Sequence, residues 1–313
     1  MRGECDDTPK VAVVTLTYNH EPFLRDCLES IVRQRVSFPI EAIVGDDAST
    51  DGTRAIIKEY VAAYPHIFTP IYFDENQFSK GRSHFNDSII PILRKRKPKY
   101  VAICEGDDYW TFDGKLQCQV DFLDSHPDYT ACFHHYNLKD ETGNNSGEVM
   151  FNLRHSRRLS LFDILIESQI QTATTVMRTE ILTDDKELNS LFGTTCFTDL
   201  ALFLALYNAG KVYCFREWWS VYRIHRGGIS YSADAKMIDE RHLEVLRGLG
   251  NLYDGKYRGL DRQWLAHIAM RNSLAEATYL RRDGKYLRYA ARMLKAFCSS
   301  PSQFIKEYYK QWQ

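Results

Sequence analysis

The sequence is short of several things, and each gap closes off a class of protein. Its eight cysteines are scattered, with no Cys-x-x-Cys pair, and Met1–Asp7 has no secretory leader. That favours reduced thiols in a cytosol over a disulfide framework. No apolar run approaches the length of a transmembrane helix. Net charge is only -1, so there is no global electrostatic case for nucleic acid, and none is expected as a partner. There is no internal repeat and no low-complexity segment. The first strand-like run ends at Thr17-Tyr18-Asn19-His20, where no glycine occurs. A dinucleotide-binding dehydrogenase needs G-x-G-x-x-G at that turn, so a nicotinamide enzyme is not expected.

What is present looks like an ordinary globular chain of 313 residues, 44% hydrophobic and 26% charged. The charge is uneven. From Arg241 to Gln313 there are 14 Lys+Arg and 6 Asp+Glu, leaving 26 basic and 35 acidic residues elsewhere. An acidic body thus carries a basic tail. Val11–Leu16 reads as a buried strand, and Glu21-Pro22 opens a helix with Phe23, Cys27, Leu28, Ile31 and Val32 on one face. Glu41–Val44 is a second strand and Ile71–Phe73 a third, with helices after each. Alternation of this kind predicts βαβ units and a mainly parallel sheet. Further on, the pattern predicts helices over Lys115–Leu123 and Phe197–Asn208, the latter ending at Gly210 as a C′ glycine. Strands are expected at Tyr129–His134, Ile170–Met177, Val212–Phe215 and Ser220–Ile224. From about Ala233 the pattern is helical.

The most informative stretch is Glu105-Gly106-Asp107-Asp108, which follows the apolar run Val101–Cys104. Ligands of open α/β sheets bind at the carboxyl ends of strands. Three crowded carboxylates repel one another unless a cation lies among them, and hard divalent ions prefer such oxygens together with substrate phosphates. A solvated acidic turn is the competing reading.

Taken together, Thr17-Tyr18-Asn19, Asp46-Asp47-Ala48-Ser49-Thr50-Asp51-Gly52-Thr53, Glu105-Gly106-Asp107-Asp108, Thr198-Asp199 and Tyr222-Arg223-Ile224-His225 resemble the family 2 glycosyltransferases of GT-A fold. The resemblance covers about residues 10–230. It implies an inverting, metal-dependent hexosyl transfer from a nucleotide-diphosphate sugar, UDP- or dTDP-linked, to a glycan or lipid-linked sugar acceptor. It also implies an α/β catalytic domain over 1–232, with a nucleotide-binding half at about 10–110 and an acceptor half at about 111–232. Residues 233–313 form a helical extension. By the same resemblance Thr17, Asn19, Glu21 and Asp47 hold the nucleotide, and Glu105 and Asp107 serve the donor. Asp107, Asp108 and His225 would hold Mn2+ or Mg2+, and Arg223 or Arg226 the diphosphate. Glu105 stands where the family more often has Asp. The other nine histidines are read as structural. Asp46 reads equally as a loop-orienting residue, and Trp218-Trp219 either as core or as a sugar-stacking surface.

Asp199 is the expected catalytic base, with a helix cap as its competing role. A sugar nucleotidyltransferase or a non-catalytic sugar-nucleotide-binding protein of the same fold are the alternatives. The first would need a glycine-rich basic loop after the first strand, and none is there. In the tail, Lys285, Arg288, Arg292 and Lys295 flank Leu287, Ala291, Leu294 and Phe297. A solvated helix face and peripheral contact with an anionic membrane are both open readings. The expected location is the cytoplasm or the inner face of its membrane.

Overall fold

The computed structural model describes residues 8–80, 88–145, 153, 155–166, 170–191, 198–228, 231, 235–282, 284–301 and 304–305. The chain divides into two compact units, Met1–Ala233 and Asp234–Gln313.

The first unit is built on one mixed sheet. Strand β1 (Val11–Thr17) is buried almost throughout, as a strand covered on both faces must be. It pairs in parallel with β2 (Ile40–Asp46) on one side and β4 (Tyr100–Ile103) on the other, and β3 (Phe68–Tyr72) pairs in parallel outside β2. Helix α1 (Leu24–Val32) buries Leu24, Cys27, Leu28 and Ile31, an i, i+3, i+4, i+7 stripe. Helices α2 (Thr53–Ala63) and α3 (Ile90–Arg96) follow β2 and β3.

Beyond β4 the sheet becomes mixed. The remaining strands are β5 (Tyr109–Trp110), β6 (Tyr129–Asp140), β7 (Arg157–Arg158), β8 (Val176–Arg178) and β9 (Lys211–Ile224). The full order is β3-β2-β1-β4-β8-β6-β9-β5, with β7 beside β9. Strand β8 is antiparallel to both β4 and β6, while β6 and β9 are parallel.

Several sequence expectations shift here, for physical reasons. The strand expected over Ile170–Met177 is strand only from Val176. Thr172–Thr174 form a 3-10 turn in which Thr174 Oγ1 donates to the Gln171 carbonyl, an example of side chains competing with the ladder. The carbonyls of Thr174 and Cys132 are met instead by the buried Gln119 amide, at 3.0 and 2.9 Å. The two strands expected on either side of residue 217 are one, because β6 is long enough to partner all of β9 and takes up the mismatch as register shifts near His135. The helix Thr198–Ala209 ends before Gly210, but Gly210 is not left-handed. A Cβ there would lie 2.8 Å from Thr130 Cγ2 and 3.0 Å from the Asp128 carbonyl, so the glycine serves close packing on β6.

Helix α4 (Lys115–Ser125) starts with an unusual residue. Lys115 is wholly buried, its Nζ has no hydrogen-bond partner, and it lies 4.1 Å from the centre of the Trp110 ring. Burial pushes its ammonium pKa down to about 7.

The second unit holds helices Ala235–Leu249, Leu260–Arg282 and Tyr286–Ser299. Met270, Leu274 and Ala296 form a small core with Met293 and Phe304. Leu287 is 90% exposed, Leu294 64% and Phe297 40%. Among the described residues no helix is long and apolar enough to cross a membrane.

Lys115 yields a test of the core. Between pH 7 and its ordinary range the unfolded chain binds the proton that the folded chain has lost, so this group makes stability rise with pH. Lys115→Met should therefore be more stable than wild type at pH 7, by roughly 1–4 kcal/mol. Urea unfolding at pH 7 and pH 9 should show that gap narrowing.

Candidate active site

The parallel registers place three strand ends on one rim. Thr17 lies opposite Asp46. Past the strand ends the pairing continues: Asp47 N donates to the Thr17 carbonyl at 2.9 Å, and Gly106 N to the Leu16 carbonyl at 2.9 Å. Gly106 is pressed against the first loop. A Cβ there would be 2.7 Å from Thr17 Cβ and 2.9 Å from His20 Nδ1.

The loops after β1 and β2 are laced together. Asn19, at φ 54°, accepts the Thr50 amide on Oδ1 at 2.8 Å, and its own amide donates to Ser49 Oγ at 2.9 Å. Glu21 Oε2 accepts the Gly52 amide at 2.8 Å, while its own amide donates to Asp51 at 3.1 Å. His20 N donates to Thr53 Oγ1 at 2.9 Å. The acceptor groups of Asn19 and Glu21, expected to line a nucleotide, are thus engaged in bracing the loop. Asp47 accepts the amides of Gln77 and Phe78 at 2.6 and 3.1 Å. Asp46 is buried, accepts the Arg54 guanidinium, and orients the loop through the Ser49 amide.

The four-residue turn after β4 sends its carboxylates in three directions. Glu105 accepts the Thr172 hydroxyl on Oε1 and leaves Oε2 buried without a partner among the described residues. Burial, outweighing that hydrogen bond and helped by the charges of Asp107 and Asp199, raises its pKa to about 7. Asp108, expected at a metal, is only 1% exposed and accepts the Arg223 amide at 2.9 Å. Burial, then repulsion from Asp107 and Glu105, holds its carboxyl far above the usual range. Neighbours on an extended turn cannot both face one point, and it is Asp107 that faces the histidines.

Asp107 Oδ2 lies 3.1 Å from His225 Nε2 and 3.7 Å from His20 Nε2. Burial raises the Asp107 pKa, but the two imidazoles outweigh it and the net shift is downward. Burial lowers that of His20, favouring neutral imidazole. Ligand atoms of His20, Asp107 and His225 all lie within 4.8 Å of one another. The sequence reading missed His20. Its one signal was its position, directly after a strand end.

Arg223, expected at a diphosphate, is packed into the scaffold. Its guanidinium donates to the Asp107 carbonyl at 2.9 Å and to Asp26, between the rings of Tyr109 and Phe23 at 4.5 and 5.2 Å. Arg226 is exposed, 4.0 Å from Glu141. Trp218 stacks on His135 and Trp219 on Phe112, with centroids 5.1 Å apart in both pairs. Asp199 enters from the start of the helix Thr198–Ala209. Among the described residues its Oδ1 accepts the adjacent Leu200 amide at 2.9 Å, rather than one two or three residues on as a cap would. Burial raises its pKa against that bond, and its charge reaches Glu105.

The sequence pattern described as Glycosyl transferase family 2 matches residues 12–183. An uncharacterized protein of Mycobacterium tuberculosis is 37% identical over 240 residues, 77% of this chain and 65% of that protein, so the match spans less than two thirds of that relative. The putative teichuronic acid biosynthesis glycosyltransferase TuaG of Bacillus subtilis is 28% identical over 71% of this chain and 82% of its own length. Among solved structures, TarS of S. aureus in complex with UDP-GlcNAc superposes with a TM-score of 0.62 at 18% identity, covering 94% of this chain and 82% of that one.

The Arg223 contacts lead to a prediction. Arg223→Ala leaves the Asp107 carbonyl short of a donor, at a cost of about 1–3 kcal/mol. Urea unfolding should read that loss, and amide hydrogen exchange at 105–109 should quicken while β1 and β2 keep their protection.

Proposed function

The chain belongs to glycosyl transferase family 2, and on that premise we propose that it moves a sugar from a nucleotide-diphosphate donor to a hydroxyl acceptor by a single displacement. What supports this reading is the buried Asp199 carboxylate, whose charge is felt by Glu105 on the acidic turn, as suits a general base opposite a leaving diphosphate.

The donor lies across the rim formed by the ends of β1, β2 and β4. Asp47, fixed by the Gln77 and Phe78 amides, takes the imide N–H of uracil or thymine. Thr17 Oγ1 is buried without a partner and is a second polar group for the donor. Asn19 and Glu21 act by holding the loops that carry this pocket. The unpartnered Glu105 Oε2 accepts a hydroxyl of the donor. The donor set at the turn, a carboxylate beside imidazole nitrogen, fits a divalent cation, Mn2+ better than Mg2+. Asp107 and His225 would hold it, and when bound it neutralises charge growing on the diphosphate. Asp108 supports the turn from beneath.

Asp199 takes the proton of the acceptor hydroxyl. The acceptor oxygen bonds to C1 from the face opposite the diphosphate, whose oxygen departs with the electron pair, inverting C1. Burial raises the pKa of Asp199, which suits it to receive a proton near neutrality. Asp199→Asn keeps size but removes the basic site. It should fold and bind the donor as wild type does, and lose at least ~100-fold in transfer rate at saturating donor. Since the base works only when deprotonated, the wild-type rate falls on acidification through this raised pKa, and the variant lacks that limb. Turnover near the wild-type rate would return Asp199 to a structural role.

The acceptor is a glycan or lipid-linked sugar, and the tail supplies a way to reach the latter. The helix Tyr286–Ser299 carries Arg288, Arg292 and Lys295 and no acidic residue. With Leu287 and Leu294 exposed on it, it suits an anionic membrane surface. Liposomes rich in anionic lipid should float the full chain, and Leu287→Glu/Leu294→Glu should abolish flotation without changing the melting temperature. Equal flotation of both proteins rejects the contact.

A further inference from the structure

Two histidines, far apart in the chain, flank Asp107 when one would suffice to steady it. Their rings stand almost perpendicular, 88° apart, with centroids 5.8 Å apart, and Phe23 packs on the His225 ring at 4.5 Å. Both present Nε2 to the same carboxylate oxygen. Each is fixed through its backbone. His20 is held by Thr53 through its amide, and its carbonyl accepts the amides of Phe23 and Leu24 at 2.9 and 2.8 Å. The His225 carbonyl accepts the Gly228 amide at 2.9 Å, and a Cβ on Gly228 would sit 3.4 Å from His225 Nε2. Asp107 is held by Arg223 through its carbonyl. None of these anchors needs a nucleotide.

Ligand atoms on one ion, with bonds of ~2.1 Å, lie about 3.0–3.5 Å apart. The 3.1 and 3.7 Å separations from Asp107 are close to this range, and with all three ligand atoms within 4.8 Å of one another the two imidazoles must draw together on an ion they share. Imidazole nitrogens favour transition metals, whereas Mg2+ prefers oxygen and water. Two imidazoles and one carboxylate on one face leave the opposite positions open.

We propose that His20 is a third metal ligand, and that His20, Asp107 and His225 form a two-histidine, one-carboxylate site that binds a transition-metal ion in preference to Mg2+ before any nucleotide arrives. This rests on the reading of Asp107 and His225 as ligands, and adds to it a residue, a metal class and an order of binding.

The test uses the full chain without nucleotide. Calorimetric titration should show one equivalent of Co2+ or Mn2+ bound, with Mg2+ at least ~100-fold weaker. His20→Ala should weaken Co2+ by at least ~10-fold, and His20→Asn should do the same if the alanine variant folds poorly. Pulsed EPR of the Mn2+-loaded wild type should count two directly bound imidazoles. One imidazole, or unchanged Co2+ affinity in both variants, overturns the proposal. If the wild type takes up metal only when UDP is added, and His20→Ala does so equally, this inference fails while the transferase reading stands. If no divalent cation binds with or without UDP, the metal part of that reading fails as well.

Discussion

Strand β1 is paired in parallel on both sides, and that pairing decides where the chemistry sits. Because β2 and β4 run the same way as β1, the three chains leave the sheet at one edge. The hydrogen bonds from Asp47 and Gly106 back to Thr17 and Leu16 carry the register past the last strand residues. An offset of one residue in β4 would reverse the sides on which Glu105 and Asp107 point. The glycine between them is what allows this turn to approach Thr17 and His20 so closely. Everything later in the chain is added to this rim: Thr172 to Glu105, the Arg223 amide to Asp108, His225 to Asp107.

The acidic turn is held by three different means. Asp108 is buried and satisfied by a backbone amide, Asp107 by two imidazoles, and Glu105 by a hydroxyl and a pKa raised to about 7. Like charges at this spacing cannot all be ionised at low cost in a poorly solvated site. The turn is therefore a place where an added positive charge gains more than it would on an open surface, which is the physical content of the metal and diphosphate reading.

Much of this was legible in the sequence. The apolar run of β1, the α1 stripe and the polar clusters at strand ends are local signals, and each survives in the structure. So does the family resemblance, because it rests on strand ends whose order the fold preserves. What was not legible depended on partners distant in the chain. The i+1 choice between Asp107 and Asp108 follows from the direction of a turn. The place of His20 beside Asp107 depends on a turn and a second histidine, His225, that arrives only after β9. Arg223 reads as a phosphate ligand until Asp26, Phe23 and Tyr109 are placed around it. The strand over Ile170–Met177 was misjudged because its threonines spend their hydroxyls locally and on Glu105. The expectation of a mainly parallel sheet holds for β1–β4 and for the long β6–β9 pair, while the short antiparallel insertion of β8 between β4 and β6 joins strands distant in the chain and left no local signal.

The lacing of the first two loops has an entropic side. Six hydrogen bonds, made by Asn19, His20 and Glu21 with residues 49–53, join two segments that would otherwise move independently. Two residues in this region, Asn19 and Ala48, hold left-handed backbone angles that isolated peptides seldom keep. The loss of conformational freedom in these loops is thus incurred when the protein folds. A ligand seated on the rim meets walls that are already ordered, so its binding carries little of the ordering penalty that flexible loops impose. Affinity at such a rim is governed by the dissociation step, and loosening either loop would weaken binding without removing a single contact to the ligand.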